Sequence, residues 1–313
     1  MLNYYLGIDM GGTQIKIAVV TETAKIIEET VLDTDVTAKP ITVIKNIVNK
    51  LNSLKYYSKI KNIGVGIAGD IDSVKGIVRF SPNLPKWKNI YLKKELERLT
   101  KRKVFIDNDA NTSAIGAFWL DLKGKSTNMV CVALGTGVGG GIIINKKLYR
   151  GATGTAGEIG HITVESNGNK CNCGNNGCIE TYIGVKHLVK SATELMKKHK
   201  SNIILKLVNN DKNKITPKIL SEACAKNDFV AKQVWKQAGE KLGILLTTIL
   251  NFMNPDHIVI CGGISKAHKL FFETAYKEIN KRAFKTAAKS CKIVISKYTS
   301  KLGVAGSAML VKN

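Results

Sequence analysis

Tyr4-Tyr5-Leu6-Gly7-Ile8-Asp9-Met10-Gly11-Gly12-Thr13-Gln14-Ile15-Lys16-Ile17-Ala18-Val19-Val20 is an apolar run, a glycine turn and a second apolar run. The pattern predicts a strand at 4–9, a tight turn and a strand at 15–20. The theme returns near the middle of the chain. Residues 129–134 are apolar, Gly135-Thr136-Gly137-Val138-Gly139-Gly140-Gly141 reads as a turn, and 142–145 is apolar again. This is a weak internal repeat, and two such hairpins can face each other across a cleft. A strand, not a helix, follows each turn, so neither is a dinucleotide fingerprint. Neither carries the Gly-Lys-Ser/Thr ending of a Walker loop.

Both turns suit phosphate. Its oxygens must come close to backbone N–H groups, and a Cβ would block them. Thr13 and Thr136 add hydroxyl donors, and Asp9 ends a strand where it can hold Mg²⁺ through water. In isolation either turn could be an ordinary hairpin. Cys261-Gly262-Gly263 offers a third glycine site, where a flat adenine could lie against the backbone or a helix could simply begin.

Working outward, we expect a third strand at 25–32, a helix at 40–57, and strands at 62–68 and 76–80. A loop at 81–85, a helix at 90–100, a strand at 104–107 and a helix at 109–120 follow. Beyond the middle hairpin the chain turns helical. Its clearest segment is 228–254, stopped by Asn254-Pro255-Asp256. A strand at 257–261, a helix at 266–285, a strand at 292–296 and a helix at 302–311 complete the order. The expected division is an N-terminal α/β domain at 1–120, joined by a returning C-terminal helix at about 300–313, and a second α/β domain at 121–299.

Gly160-His161 and Cys171-x-Cys173-Gly174-x-x-Gly177-Cys178-x-Glu180 offer one imidazole and three thiols within eighteen residues. These are the ligands Zn²⁺ prefers, and four of them close a tetrahedral shell with no open position. A structural zinc on His161, Cys171, Cys173 and Cys178 is the expectation. Glu158 and Glu180 are not needed by such a metal, and binding a polyol would employ them.

Asp107-Asn108-Asp109-Ala110-Asn111 ends one element and begins another. Strand ends are where α/β proteins put ligands. Asp109 could take a hydroxyl proton as that oxygen attacks phosphorus, and the same residues could also cap the helix. Asp107 reads as a neighbour with no direct role.

The 313 residues allow two domains and a sizeable core. Seven cysteines, three clustered and the rest isolated, match a reducing compartment and not a disulfide framework. The first residues show no export signal and no apolar run spans a bilayer, so a cytoplasmic protein with no membrane partner is expected. The net charge of +24 raises the question of nucleic acid. Arginine, however, stands only at Arg79, Arg98, Arg102, Arg150 and Arg282, and the lysines are spread without a dense block. We read a solvated surface that binds no nucleic acid and whose field attracts anionic ligands.

Taken together, Asp9-x-Gly11-Gly12-Thr13, Asn108-Asp109-Ala110-Asn111, Gly135-Thr136-Gly137-x-Gly139-Gly140-Gly141, Gly157-Glu158-x-Gly160-His161 and the cysteine knot resemble the ROK family (repressor, open reading frame, kinase) of actin-like sugar kinases. The motifs run in the family's order from the first strand to Gly263. The resemblance implies two ribonuclease-H-like α/β domains around a central cleft, ATP with Mg²⁺, and a hexose phosphorylated at its 6-hydroxyl. It implies Asp109 as base and sugar contacts from Gly69, Asn83, Asn108, Asp109, Glu158, His161 and Glu180. Asp9, Gly11, Gly12, Thr13, Lys16, Gly135, Thr136, Gly137, Gly262 and Gly263 would serve ATP and Mg²⁺. It also implies zinc on the four ligands named, and a homodimer. One departure is Ala68-Gly69, where many relatives have Pro-Gly; a slightly altered loop stiffness is expected. The 81–87 loop resembles that of the family's glucose-phosphorylating branch, and the resemblance implies glucose as substrate. N-acetylmannosamine or N-acetylglucosamine is the alternative sugar, and a non-catalytic sugar-sensing regulator the alternative class. The family's repressors carry a DNA-binding segment before the first strand, and this chain starts on that strand, which favours the enzyme.

Overall fold

The computed structural model describes residues 3–199 and 201–312. Asn313, the last residue of the expected returning helix, lies outside them. The first sheet contains β1 (Tyr4–Met10), β2 (Gln14–Thr21), β3 (Ile26–Asp33), β4 (Asn62–Ile67) and a later strand, Lys103–Asn108. β1, β2 and β3 form an antiparallel meander, while β4 runs parallel to β1. A side sheet is made of β5 (Asp70–Asp72), β6 (Ile77–Phe80) and β7 (Lys88–Ile90), and β8 (Lys103–Asn108) closes the first sheet in the order β3-β2-β1-β4-β8. The second sheet contains β9 (Met129–Leu134), β10 (Val138–Ile144), β11 (Lys147–Tyr149), β12 (His257–Cys261) and β13 (Lys292–Ile295), ordered β11-β10-β9-β12-β13. Third, second, first, fourth, fifth is the order in both. The repeat seen as two hairpins is therefore a repeat of the whole sheet.

The α-helices are α1 (Pro40–Leu51), α2 (Leu92–Thr100), α3 (Asp109–Leu120), α4 (Glu180–Ile183), α5 (Val185–Lys198), α6 (Asn202–Leu207), α7 (Pro217–Ala225), α8 (Phe229–Met253), α9 (Lys269–Arg282), α10 (Lys285–Ser290) and α11 (Leu302–Met309), with α4 to α8 in one run between β11 and β12. By internal contact the chain forms two compact units. One is Met1–Cys131 with Gly141–Gly157 and Ser296–Asn313; the other is Val132–Gly140 with Glu158–Ile295.

In the first unit, apolar side chains of β1, β2, β4 and β8 pack with Val43, Ile44, Ile47 and Leu51 of α1 and Leu92 and Leu96 of α2. Burial of each such chain is worth about 1.5–3 kcal/mol. The other face holds α3 and α11, and there the backbones nearly touch. A Cβ on Gly306 would lie 1.7 Å from the Thr112 carbonyl, and one on Gly64 1.7 Å from that of Ser307. Small residues on α11 let it lie between α3 and the sheet.

Several element ends differ from the sequence reading. α1 stops at Leu51, not near 57, because the N–H groups of Lys55 and Tyr56 donate to the Glu28 carboxylate at 2.8 and 3.2 Å. Gly139, Gly140 and Gly141 belong to β10, not to a long turn. The expected 266–285 helix is α9 alone. His268 caps its start through Nδ1, and the chain turns extended at Ala283 and Phe284 before α10. β5, β7 and β11, three residues each, were too short to carry a pattern.

Candidate active site

Asp9 stands one residue from the end of β1, opposite Lys16 on β2. Its carboxylate lies where a Cβ on Gly303 of α11 would come within 2.6 Å. Burial there pushes its pKa up to about 6; Lys16 pulls it down, and Asp109 pushes it further up. The Lys16 ammonium donates to the Ser300 carbonyl at 3.2 Å. Thr34 braces the turn, its hydroxyl donating to the Gly11 carbonyl at 2.9 Å and its N–H to that of Thr13 at 2.9 Å. A Cβ on Gly12 would stand 3.1 Å from Cβ of Asn83. The phosphate-type turn and a proposed sugar residue are therefore neighbours. Leu84 and Trp87 anchor the Asn83 loop by burial, which leaves Asn83 itself exposed.

The junction of β8 and α3 brings the next residues together. Asn108 caps α3, its Oδ1 accepting from Ala110 N–H at 2.8 Å. Its Nδ2 donates to the Gly69 carbonyl at 2.9 Å. Gly69 has φ 132°, and a Cβ there would meet the Phe80 carbonyl at 2.1 Å, so glycine is required. Asp109 is the first residue of α3 and its Oδ1 accepts from Ala110 N–H at 3.0 Å. A carboxylate in the first helical turn is favoured by the helix dipole.

In the second unit Val138 is the hub. Its N–H donates to Oε2 of Glu180, the first residue of α4, at 3.0 Å. Its carbonyl would touch a Cβ on Gly160 at 2.0 Å. That lets the 3₁₀ turn Ile159–His161 sit against the strand, with Glu158 just before it. His161 Nε2 lies 4.0 Å from Oε2 of Glu158, and Nδ1 lies 3.7 Å from Sγ of Cys171. Sγ of Cys173 and Sγ of Cys178 are 3.7 Å apart, and the four ligand atoms lie within 4.8 Å of one another. With Zn–S near 2.3 Å, the edge of a tetrahedron is about 3.8 Å. The donor set and its spacing therefore fit zinc. Burial and the neighbouring sulfurs push the Cys178 thiol up to about 12.

The glycines of this unit divide into two kinds. A Cβ on Gly135 or Gly263 would have nothing within 4 Å, leaving room for a ligand against the backbone. A Cβ on Gly137 would collide with Oε2 of Glu180 at 2.1 Å, and one on Gly262, φ 91°, with the Leu134 carbonyl at 2.1 Å. These two are glycines because the protein itself approaches. The Gly262 contact also sets the third glycine site beside the 135–137 turn. Thr136 is exposed in that turn.

Some participants had no motif. Ser300 and Gly303 reach Asp9 and Lys16 from the far end of the chain. Asp107, read as having no direct role, is buried and accepts from Arg150 Nε at 2.8 Å. The one available signal was that Arg150 is among five arginines in a lysine-rich chain. Arginine is the cation that suits buried pairs.

Two matching sheets of this order define an actin-like, ribonuclease-H-like fold. The chain belongs to the ROK family, whose model matches residues 5–313. It is 32% identical over 307 residues to a glucokinase of Thermotoga maritima, covering 98% of this chain and 96% of that one. A xylose repressor of Caldicellulosiruptor bescii is 34% identical over 252 residues, 80% of this chain and 62% of the repressor. The structure of a ROK family glucokinase from Streptomyces griseus in complex with glucose and AMPPNP is 28% identical, with TM-score 0.80 and 98% of each chain covered.

Proposed function

We propose that this protein is an ATP-dependent hexokinase that phosphorylates the 6-hydroxyl of glucose. The observation that carries the reading is the β8–α3 junction. It joins a carboxylate at a helix start, Asp109, to an amide cap, Asn108, whose other end holds the Gly69 turn. The whole-length likeness to glucokinases, one solved with glucose and an ATP analogue, supports it.

In this reading Asp109 accepts the proton of the 6-hydroxyl as that oxygen attacks the γ-phosphorus. The bond from the γ-phosphorus to the β,γ-bridging oxygen breaks, and ADP leaves with the bond pair. Gly69, Asn83, Asn108, Glu158, His161 and Glu180 hold the sugar. Gly11, Gly12, Thr13, Lys16, Gly135, Thr136, Gly137, Gly262 and Gly263 form the nucleotide set. Asp9 would hold Mg²⁺, which neutralises phosphate charge. His161, Cys171, Cys173 and Cys178 would hold a structural Zn²⁺ that fixes the Glu158–His161 loop. A homodimer and a cytoplasmic location complete the proposal. No helix among the described residues is long and apolar enough to cross a membrane.

The test is ADP release by purified protein with ATP, Mg²⁺ and glucose, N-acetylglucosamine or N-acetylmannosamine. Glucose should have the highest kcat/KM. A tenfold advantage for either amino sugar, about 1.4 kcal/mol, removes glucose and keeps the kinase. Sugar binding without turnover of any of the three removes the enzyme and leaves the regulator.

A further inference from the structure

Asp107 precedes the cap residue Asn108 and is 4% exposed at its side chain. All its bonds serve the β8–α3 junction. Oδ1 accepts from Asn108 N–H at 2.8 Å and from Asn111 Nδ2 at 2.8 Å. Oδ2 accepts from Arg150 Nε at 2.8 Å. One carboxylate thus grips the last residue of β8 and the first turn of α3, on either side of Asp109.

A buried carboxylate needs a partner, and removing that partner leaves an uncompensated charge. Arg150 is that partner, and it is itself held. It directly follows β11, the outer strand of the β10–β11 hairpin. Its carbonyl accepts from Ala156 N–H at 3.1 Å, closing the loop behind it. The same hairpin touches α3 a second time. A Cβ on Gly141 of β10 would stand 2.5 Å from Cβ of Ala114, 3.0 Å from the Ala110 carbonyl and 3.3 Å from Cα of Asn111. The hairpin therefore clamps the start of α3 by shape at Gly141 and by charge at Arg150.

We propose that Arg150 is a positioning residue for the transfer step: through Asp107 it fixes the strand-to-helix junction that aims Asp109. It touches neither sugar nor nucleotide in this account. The inference rests on the assignment of Asp109 as the base. Its chemical logic is geometric, since a displacement of about 1 Å at a reacting group costs about a hundredfold in rate. The Nε donor on a planar guanidinium sets the direction of the bond; a lysine ammonium would keep the charge and lose that direction.

Three variants test it: Arg150→Met, Arg150→Lys and the pair Asp107→Asn/Arg150→Met. Arg150→Met should lower kcat by about tenfold to a hundredfold, with KM for ATP within about twofold. Amide hydrogen exchange at Asn108, Ala110 and Asn111 should speed up by about tenfold or more. Arg150→Lys should lower kcat less, and it carries the test if the methionine variant does not fold. The pair removes the unpaired buried charge, so its melting temperature should recover while kcat stays low. An unchanged kcat in Arg150→Met overturns the proposal, as does recovery of kcat together with melting temperature in the pair. If the wild-type chain phosphorylates no sugar, the kinase reading fails by itself. Exchange at the α3 start then decides, and unaltered rates overturn the role of Arg150.

Discussion

The two glycine turns begin from one sequence pattern and end with different characters. The β1–β2 turn is charged and braced. Asp9 and Lys16 face each other across it, Thr34 ties its carbonyls, and Asn83 packs on Gly12. The β9–β10 turn carries no charge of its own. Its one carboxylate, Glu180, arrives from α4 to meet Val138 N–H, and Gly135 faces open space. The first turn is built around a buried acid held above its ordinary pKa, and the second around bare backbone. A glycine motif therefore fixes where a ligand can come close, while the neighbours brought by the fold decide what it meets.

The largest effect should come from the charged side. Asp109→Asn keeps shape and hydrogen bonds but accepts no proton, so kcat should fall by roughly 10²–10⁴. Glucose affinity, read by calorimetry, should stay near wild type. A normal kcat would remove the acid half of the contrast.

Asp9→Asn comes next and should raise stability while destroying activity. A carboxyl raised from 3.8 to about 6 in the folded chain favours the protonated form. Its stabilisation is complete below about pH 4 and lost as pH rises through about 6. At about 1.4 kcal/mol per unit, wild type carries a penalty of roughly 3 kcal/mol at neutral pH that the asparagine variant escapes. Melting curves at pH 4 and 7.5 should show the gap opening only at the higher pH. A constant gap would mean that Asp9 is not raised.

On the neutral side, Cys173→Ser should remove about one zinc per chain and raise KM for glucose by about tenfold, or 1.4 kcal/mol, with little change for ATP. Metal analysis without chelators reads the first effect, and its failure would leave the Glu158–His161 loop to be held by packing alone. The smallest effects divide the glycines themselves. Gly135→Ala should leave the melting temperature unchanged and raise KM for ATP by several-fold, because its Cβ enters open space where the proposed nucleotide would lie. Gly262→Ala should lower the melting temperature, because its φ is 91° and its Cβ strikes the Leu134 backbone. Equal behaviour of the two would erase the distinction between ligand space and packing.

The sequence alone determined what is local. Strand, turn and strand at 4–20 and again at 129–145, the Asn108 cap, the stop at Asn254 and the cysteine spacing each depend on residues a few positions apart. Backbone geometry makes such patterns nearly independent of context, so these elements and the zinc-type cluster could be read directly. The tertiary structure decided what is distant. Gly303 lies against Asp9, Arg150 pairs with Asp107, Glu180 meets Val138, and Glu28 ends the segment after α1. No spacing rule links these residues, because each contact exists only after the strands have taken their places in a sheet. The same physics explains the glycines. The pattern named all of them, but only the packed chain separates Gly137 and Gly262, filled by the protein's own atoms, from Gly135 and Gly263, where space remains.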